Sequence, residues 1–84
     1  MRTMWTVRGN ALHKIFSFQD FRTAFEFMQE VAVVAEQLNH HPNWTNCYNV
    51  VEFNLSTHEA NNSITKKDYQ LSEAIDSIWL NFSS

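Results

Sequence analysis

The sequence predicts an α+β two-layer sandwich, a four-stranded antiparallel sheet with its helices packed on one face. Three observations lead there. Two strand-like stretches flank a Gly9-Asn10 dipeptide, a three- and four-residue apolar repeat runs through 20–39 and again through 65–82, and Val51, Phe53 and Leu55 alternate between them. The resulting order, β-β-α-β-β-α, places an antiparallel sheet in one layer and the helices in the other.

Residues 3–8 and 11–18 read as a β-hairpin, because Gly accepts positive φ at the first central position of a tight turn. Trp5 and Val7 share one face of the first strand; Leu12, Phe16 and Phe18 share one face of the second, with Lys14 breaking the alternation. In the first helix, 20–39, Phe21, Ala24, Phe25, Met28, Val31, Ala32, Ala35 and Leu38 form the apolar stripe, which Phe27, Val33 and Val34 widen. Pro42 is expected to end it, since the residue before a proline avoids the helical region. His40 and His41 are thereby placed at the helix end or just beyond it. Tyr48-Asn49 reads as a turn between a short strand near 44–47 and a longer one near 50–57, Asn tolerating left-handed geometry. His58 falls at the end of the second of these. Thr65 is a good N-cap for the helix 65–82, and Asp68 three residues on completes a variant capping box. Leu71, Ile75, Ile78, Trp79 and Phe82 supply that helix's stripe.

The chain of 84 residues, 44 % hydrophobic and 18 % charged, has the composition of one globular domain, 1–84. A domain of this size buries only about 60 % of its unfolded surface. Cys47 is its one cysteine, so neither a disulfide framework nor a cysteine zinc cluster can reinforce it. Self-association is the expected source of extra stability. The six Lys and Arg are scattered and the net charge is -3, which argues against direct nucleic-acid binding. No apolar run approaches the ~18 residues that span a bilayer, and Met1–Trp5 lacks a signal-peptide core. A reduced, cytoplasmic setting is expected.

Chemistry concentrates between residues 36 and 68. His40-His41 stands at a helix end and His58 at a strand end, places where a rigid scaffold presents side chains to a cleft. Imidazole, with a reference pKa of about 6.5, gives or takes a proton near neutrality. Glu36 lies one helical turn before His40, close enough to orient it; otherwise it is a solvated helix charge. Asp68 serves equally well as an orienting carboxylate or as an acid favoured by the helix dipole. A facial triad of His40, His58 and Asp68 is the competing metal reading. Adjacent histidines seldom bind one ion, however, and no two-ligand i,i+4 spacing supports it, so no metal is expected. Trp44 could wall a cleft, Trp79 fits the core or a subunit interface, and His13 is read as surface.

The framework Glu36, His40-His41-Pro42, Tyr48, His58 and Asp68, with Phe16-Ser17-Phe18-Gln19-Asp20-Phe21, Asn39-His40-His41-Pro42-Asn43-Trp44 and Leu55-Ser56-Thr57-His58-Glu59 around it, resembles the pterin-4a-carbinolamine dehydratase family, also known as the dimerization cofactor of a hepatocyte transcription factor. The resemblance runs from about Trp5 to Ile78. It implies dehydration of 4a-hydroxytetrahydropterin to quinonoid dihydropterin by general acid–base catalysis, without redox cofactor or metal. Catalysis would fall to His40, His41 and His58, with His40 and His58 as the main pair. Glu36, Pro42, Trp44, Asp68 and Trp5 would shape the pterin site, Glu36 and Asp68 by orienting the histidines. It also implies a homodimer or homotetramer, and an alternative role as a non-catalytic interaction module. Two departures stand out. Many members carry an extra N-terminal helix before the tryptophan. The loop Glu59-Ala60-Asn61-Asn62-Ser63 is one residue longer than in common members and replaces glycines with asparagines able to adopt left-handed geometry.

Overall fold

The computed structural model describes residues 4–82. Strands β1 (Thr6–Arg8), β2 (Ala11–Ser17), β3 (Asn43–Cys47) and β4 (Val50–Leu55) form one antiparallel sheet in the order β1-β2-β4-β3. Helices α1 (Phe21–Leu38) and α2 (Lys66–Trp79) cover one of its faces. This is the expected sandwich. Thr3, placed in the first strand by sequence, lies outside the described residues.

Register explains the burial. Leu12, Lys14 and Phe16 stand opposite Leu55, Phe53 and Val51, and all six point toward the helices. Lys14 therefore does not break the alternation. Its ammonium is folded into the inner face, 2.9 Å from Asp76 of α2 and over the rings of Phe16 and Trp5. A buried amine is tolerable when paired and when its apolar stem lies along the core. Trp5 lies before β1, packs on Phe16 and Phe53, and donates its indole N–H to the same Asp76 oxygen at 3.0 Å. Val7 pairs with Leu12 on the edge of the sheet but remains exposed.

The core centres on Phe27, whose ring lies 5.0–6.2 Å from those of Phe16, Phe18, Phe53, Phe82 and Trp79. The buried stripe of α1 is Ala24, Phe27, Val31 and Ala35. Phe21 and Phe25, expected inside, instead stack on each other in solvent. The apolar surface of α1 is broader than its partner, and the sheet selects the face with the largest central ring. Trp79 joins this core, and α2 ends there; residues 80–82 form turns beyond it.

Two of three turns match their residues. Gly9 has φ +63. In the β3–β4 turn it is Tyr48, not an asparagine, that takes positive φ. Asn46 donates to the carbonyls of Tyr48 and Val50, and Asn49 exchanges hydrogen bonds with Phe18, which supports the unfavourable Tyr48 geometry. Asn61 and Asn62 both adopt left-handed conformations after a single 3₁₀ turn, His58–Ala60, as their residue type allows.

The uncovered sheet face is mixed, with exposed Ile15 beside Glu52 and Asn54. His13, read from sequence as surface, lies on it but is largely covered, held 2.6 Å from Glu52 and 2.9 Å from Arg8. Cross-strand register puts His13 opposite Asn54 on β4 and next to Glu52.

Candidate active site

Residue 40 is positioned by the way α1 ends. Asn39 turns left-handed (φ 53), its N–H bonds to Glu36, and the His40 N–H returns to the Ala35 carbonyl at 3.0 Å. This closure is of the Schellman type. It ends the helix before Pro42 can act, so the stop signal is Asn39. The chain then reverses into β3, and the His40 ring folds back over the start of α2.

There it meets Asp68, whose side chain is fully buried. His40 Nε2 lies 2.7 Å from Asp68 Oδ1, and His40 itself is 8 % exposed. The other carboxylate oxygen, Oδ2, accepts from Thr57 Oγ1 at 2.7 Å and from the Thr65 backbone N–H at 2.8 Å. Its two oxygens thus have separate partners, Oδ1 the His40 imidazole and Oδ2 the capping box with Thr65. Burial pushes the Asp68 pKa up. Hydrogen bonds from His40, the Thr65 N–H and Thr57 outweigh it, and the net displacement is downward. Asp68 is consequently a carboxylate that only accepts.

That fixes the proton on His40. Facing an acceptor, Nε2 carries the hydrogen, and Nδ1 is left to take or give a proton. Glu36 reaches His41 rather than His40: its carboxylate is 2.5 Å from His41 Nε2, in solvent. The same logic leaves His41 Nδ1 available. His58 is exposed at the start of the 3₁₀ turn, where its Nδ1 lies 3.1 Å from Asn62 Oδ1, leaving Nε2 outward. Thr57 immediately precedes His58, so the bonds to Asp68 link the His40 and His58 segments. Each sits at the end of the sheet where β4 finishes and β3 begins.

The other expected site residues are distributed more widely. Pro42 leads into β3, and Trp44, half-buried, packs on Phe53 at 5.7 Å. Trp5 flanks the same Phe53 from the β2 side and lines a cleft of about 590 Å³ with Leu12, Lys14, Tyr69 and Asp76. His40, His41 and His58 do not line that cleft. Tyr48, part of the sequence framework, is at the far end of β3, roughly 16 Å of strand from the histidines. Among the described residues, no three His, Cys, Asp or Glu side chains are grouped to hold a metal ion.

Sequence reasoning missed Thr57 and Asn62. Parity could have found the first: Val51, Phe53 and Leu55 point inward, so Thr57 does too, beneath the helices. Asn62 had no comparable signal, since its side chain reaches His58 only because two successive residues turn left-handed.

Fold and site together define a small α+β protein with a buried histidine–carboxylate dyad and two further histidines at one end of its sheet. The model of the family described as Pterin 4 alpha carbinolamine dehydratase matches residues 1–78. A Solibacter usitatus protein bearing the name pterin-4-alpha-carbinolamine dehydratase is 46 % identical over 77 residues, covering 92 % of this chain and 80 % of its own. A similarly named Paraburkholderia xenovorans protein is 49 % identical over 69 residues, or 82 % and 71 % of the two chains. Among solved structures, a transcriptional coactivator/pterin dehydratase from Brucella melitensis superposes with a TM-score of 0.81 at 42 % identity, covering 88 % of this chain and 80 % of that one. The chain belongs to the pterin-4a-carbinolamine dehydratase family.

Proposed function

We propose that this chain dehydrates 4a-hydroxytetrahydropterin to quinonoid dihydropterin. Two bonds break, C4a–O and N5–H, and a C4a=N5 double bond forms. One group must deliver a proton to the departing hydroxyl, which leaves as water, and another must accept the N5 proton. The two transfers leave no net proton on the protein, and each is worth about 10²–10⁴-fold when a positioned side chain performs it.

The observation that carries this reading is the His40–Asp68 dyad, a buried imidazole with one nitrogen committed to a carboxylate and the other available. His40 and His58 form the acid–base pair, with His41 assisting at the hydroxyl. Asp68 orients His40, and Glu36 orients His41. Pro42, Trp44 and Trp5 contribute apolar and aromatic surface for the flat pterin. The test is a direct dehydration assay on synthetic 4a-hydroxytetrahydropterin, with and without chelator. Acceleration unaffected by chelator is expected. Loss on chelation, restored by one ion, would overturn the metal-free mechanism. A folded but inert protein would favour the interaction-module role.

No helix among the described residues is long and apolar enough to cross a membrane, and the reading extends to a cytoplasmic homodimer or homotetramer. The exposed, mutually stacked rings of Phe21 and Phe25 support self-association, because contiguous exposed apolar surface marks interfaces. Light scattering at micromolar protein should give at least two chains per particle, and an active monomer would refute it.

A further inference from the structure

Asp68 Oδ2 is anchored twice, by the Thr65 backbone N–H at 2.8 Å and by the Thr57 hydroxyl, and Thr57 supplies the one side-chain donor of the two. Its side chain is buried, its Oγ1 lies 2.7 Å from Asp68 Oδ2, and it lies 2.5 Å from Thr65 Oγ1. A hydroxyl has a single hydrogen, and the carboxylate only accepts. The Thr57 hydrogen therefore goes to Asp68, and the Thr65 hydroxyl donates to Thr57. This leaves a directed chain, Thr65 to Thr57 to Asp68 Oδ2, with Oδ1 reserved for His40. The loop does not need this hydroxyl for closure, because the Thr57 backbone N–H bonds to the Ser63 carbonyl at 2.8 Å whatever the side chain. Nor does the capping box, which uses Thr65 and Asp68.

We propose that Thr57 is a positioning residue for the dehydration step, its hydroxyl holding the Asp68 carboxylate so that His40 keeps its proton on Nε2 and presents Nδ1. The inference rests on the acid–base reading of His40. His40, from the end of α1, is the one titratable side chain hydrogen-bonded to Asp68 among the described residues; the strand end contributes Thr57 and α2 contributes Thr65. Removing one donor makes the carboxylate less favourable, so Asp68 takes up its proton at a higher pH.

The test compares Thr57→Val, which keeps the shape and removes the hydroxyl, with Thr57→Ser, which keeps the hydroxyl, both in the full chain. Thr57→Val should lower kcat about 10-fold, as expected for loss of one charge-assisted hydrogen bond, with KM changed by less than about 3-fold. Its acid limb should move to higher pH. Thr57→Ser should stay within about 2-fold of the parent. Nitrogen NMR of the His40 ring reads the tautomer without turnover: the Nε2–H pattern of the parent should be lost or mixed in Thr57→Val. An unchanged His40 pattern overturns the proposal even if the rate falls. So does a Thr57→Ser protein as slow as Thr57→Val, which would assign the effect to methyl packing. If Thr57→Val does not fold, Thr57→Ser carries the test alone, and loss of its kcat or a displaced acid limb overturns the proposal. His40→Ala in the same assay separates the two readings, because full activity there refutes the role of His40 rather than that of Thr57.

Discussion

Two of the three carboxylates of helix α2, Asp68 and Asp76, lie two turns apart, about 12 Å along its axis, and each receives a cationic or cation-forming side chain from another element. Asp76 takes the Lys14 ammonium at 2.9 Å and the Trp5 indole N–H at 3.0 Å. Asp68 takes the His40 imidazole at 2.7 Å and the Thr57 hydroxyl at the same distance. The geometry is alike and the consequence differs. The Lys14 ammonium has only donors to offer, so the first cluster acts as a latch between sheet and helix. An imidazole has a second ring nitrogen free to act as donor or acceptor, so the second can do chemistry. Burial also differs: Asp68 is sealed, whereas the Asp76 side chain is 30 % exposed and partly solvated. A buried ion pair by itself is weak evidence of function, and here the partner's chemistry separates the two.

Substituting each carboxylate cluster in turn should split them most widely in activity. Asp68→Asn places an amide against His40 and disturbs its tautomer, and should lower kcat by about 10²-fold or more. Lys14→Met should change kcat less than about 2-fold, since it touches no acid–base group. Comparable losses in the dehydration assay would break the distinction. His40→Ala and His58→Ala should each slow the reaction by more than about 10-fold with unchanged circular dichroism, while His13→Ala is near neutral. Equal effects at the three positions would show that the framework does not mark the site. Lys14 should register in stability instead. Its replacement by Met should cost about 1–3 kcal/mol in urea denaturation, below the range for stranding a fully buried partner because Asp76 retains Trp5 and water.

The smallest effect concerns pH. The folded Asp68 pKa is below its ordinary value. The stability it contributes is therefore present above the unfolded pKa of about 3.9 and is lost as pH falls through the folded value. Urea midpoints followed down through this acid range should fall for the parent and fall less steeply for Asp68→Asn. Identical slopes would mean that the pair is not linked to folding.

Much of this arrangement was legible in the residues. The succession of strands and helices, and the N-cap of α2, followed from periodicity, Gly9 and the Thr65–Asp68 box; the order of strands within the sheet and the Asn39 stop of α1 did not. The three histidines were placed at element ends correctly. Pairing was harder, because helical spacing alone brings Glu36 near residue 40, whereas the left-handed Asn39 rotates His40 away and leaves His41 for Glu36. Lys14 looked like a break in the strand pattern since its partner, Asp76, is 62 residues away and no local rule points to it. Phe27 lost prominence to Phe21 and Phe25 in the sequence reading because all three are apolar on one broad helix, and only the sheet chooses among them.

The bonds converging on Asp68 also bear on how the chain folds. The capping bond joins residues 3 apart and can form as α2 nucleates, but the bonds to Thr57 and His40 span 11 and 28 residues. Closing those loops costs entropy that is recovered only once α1, the sheet and α2 have docked. A chain with its helices formed but undocked has a capped α2 and no dyad. Turnover would then report the fully docked population alone, and partly folded forms would be silent even where their secondary structure is intact.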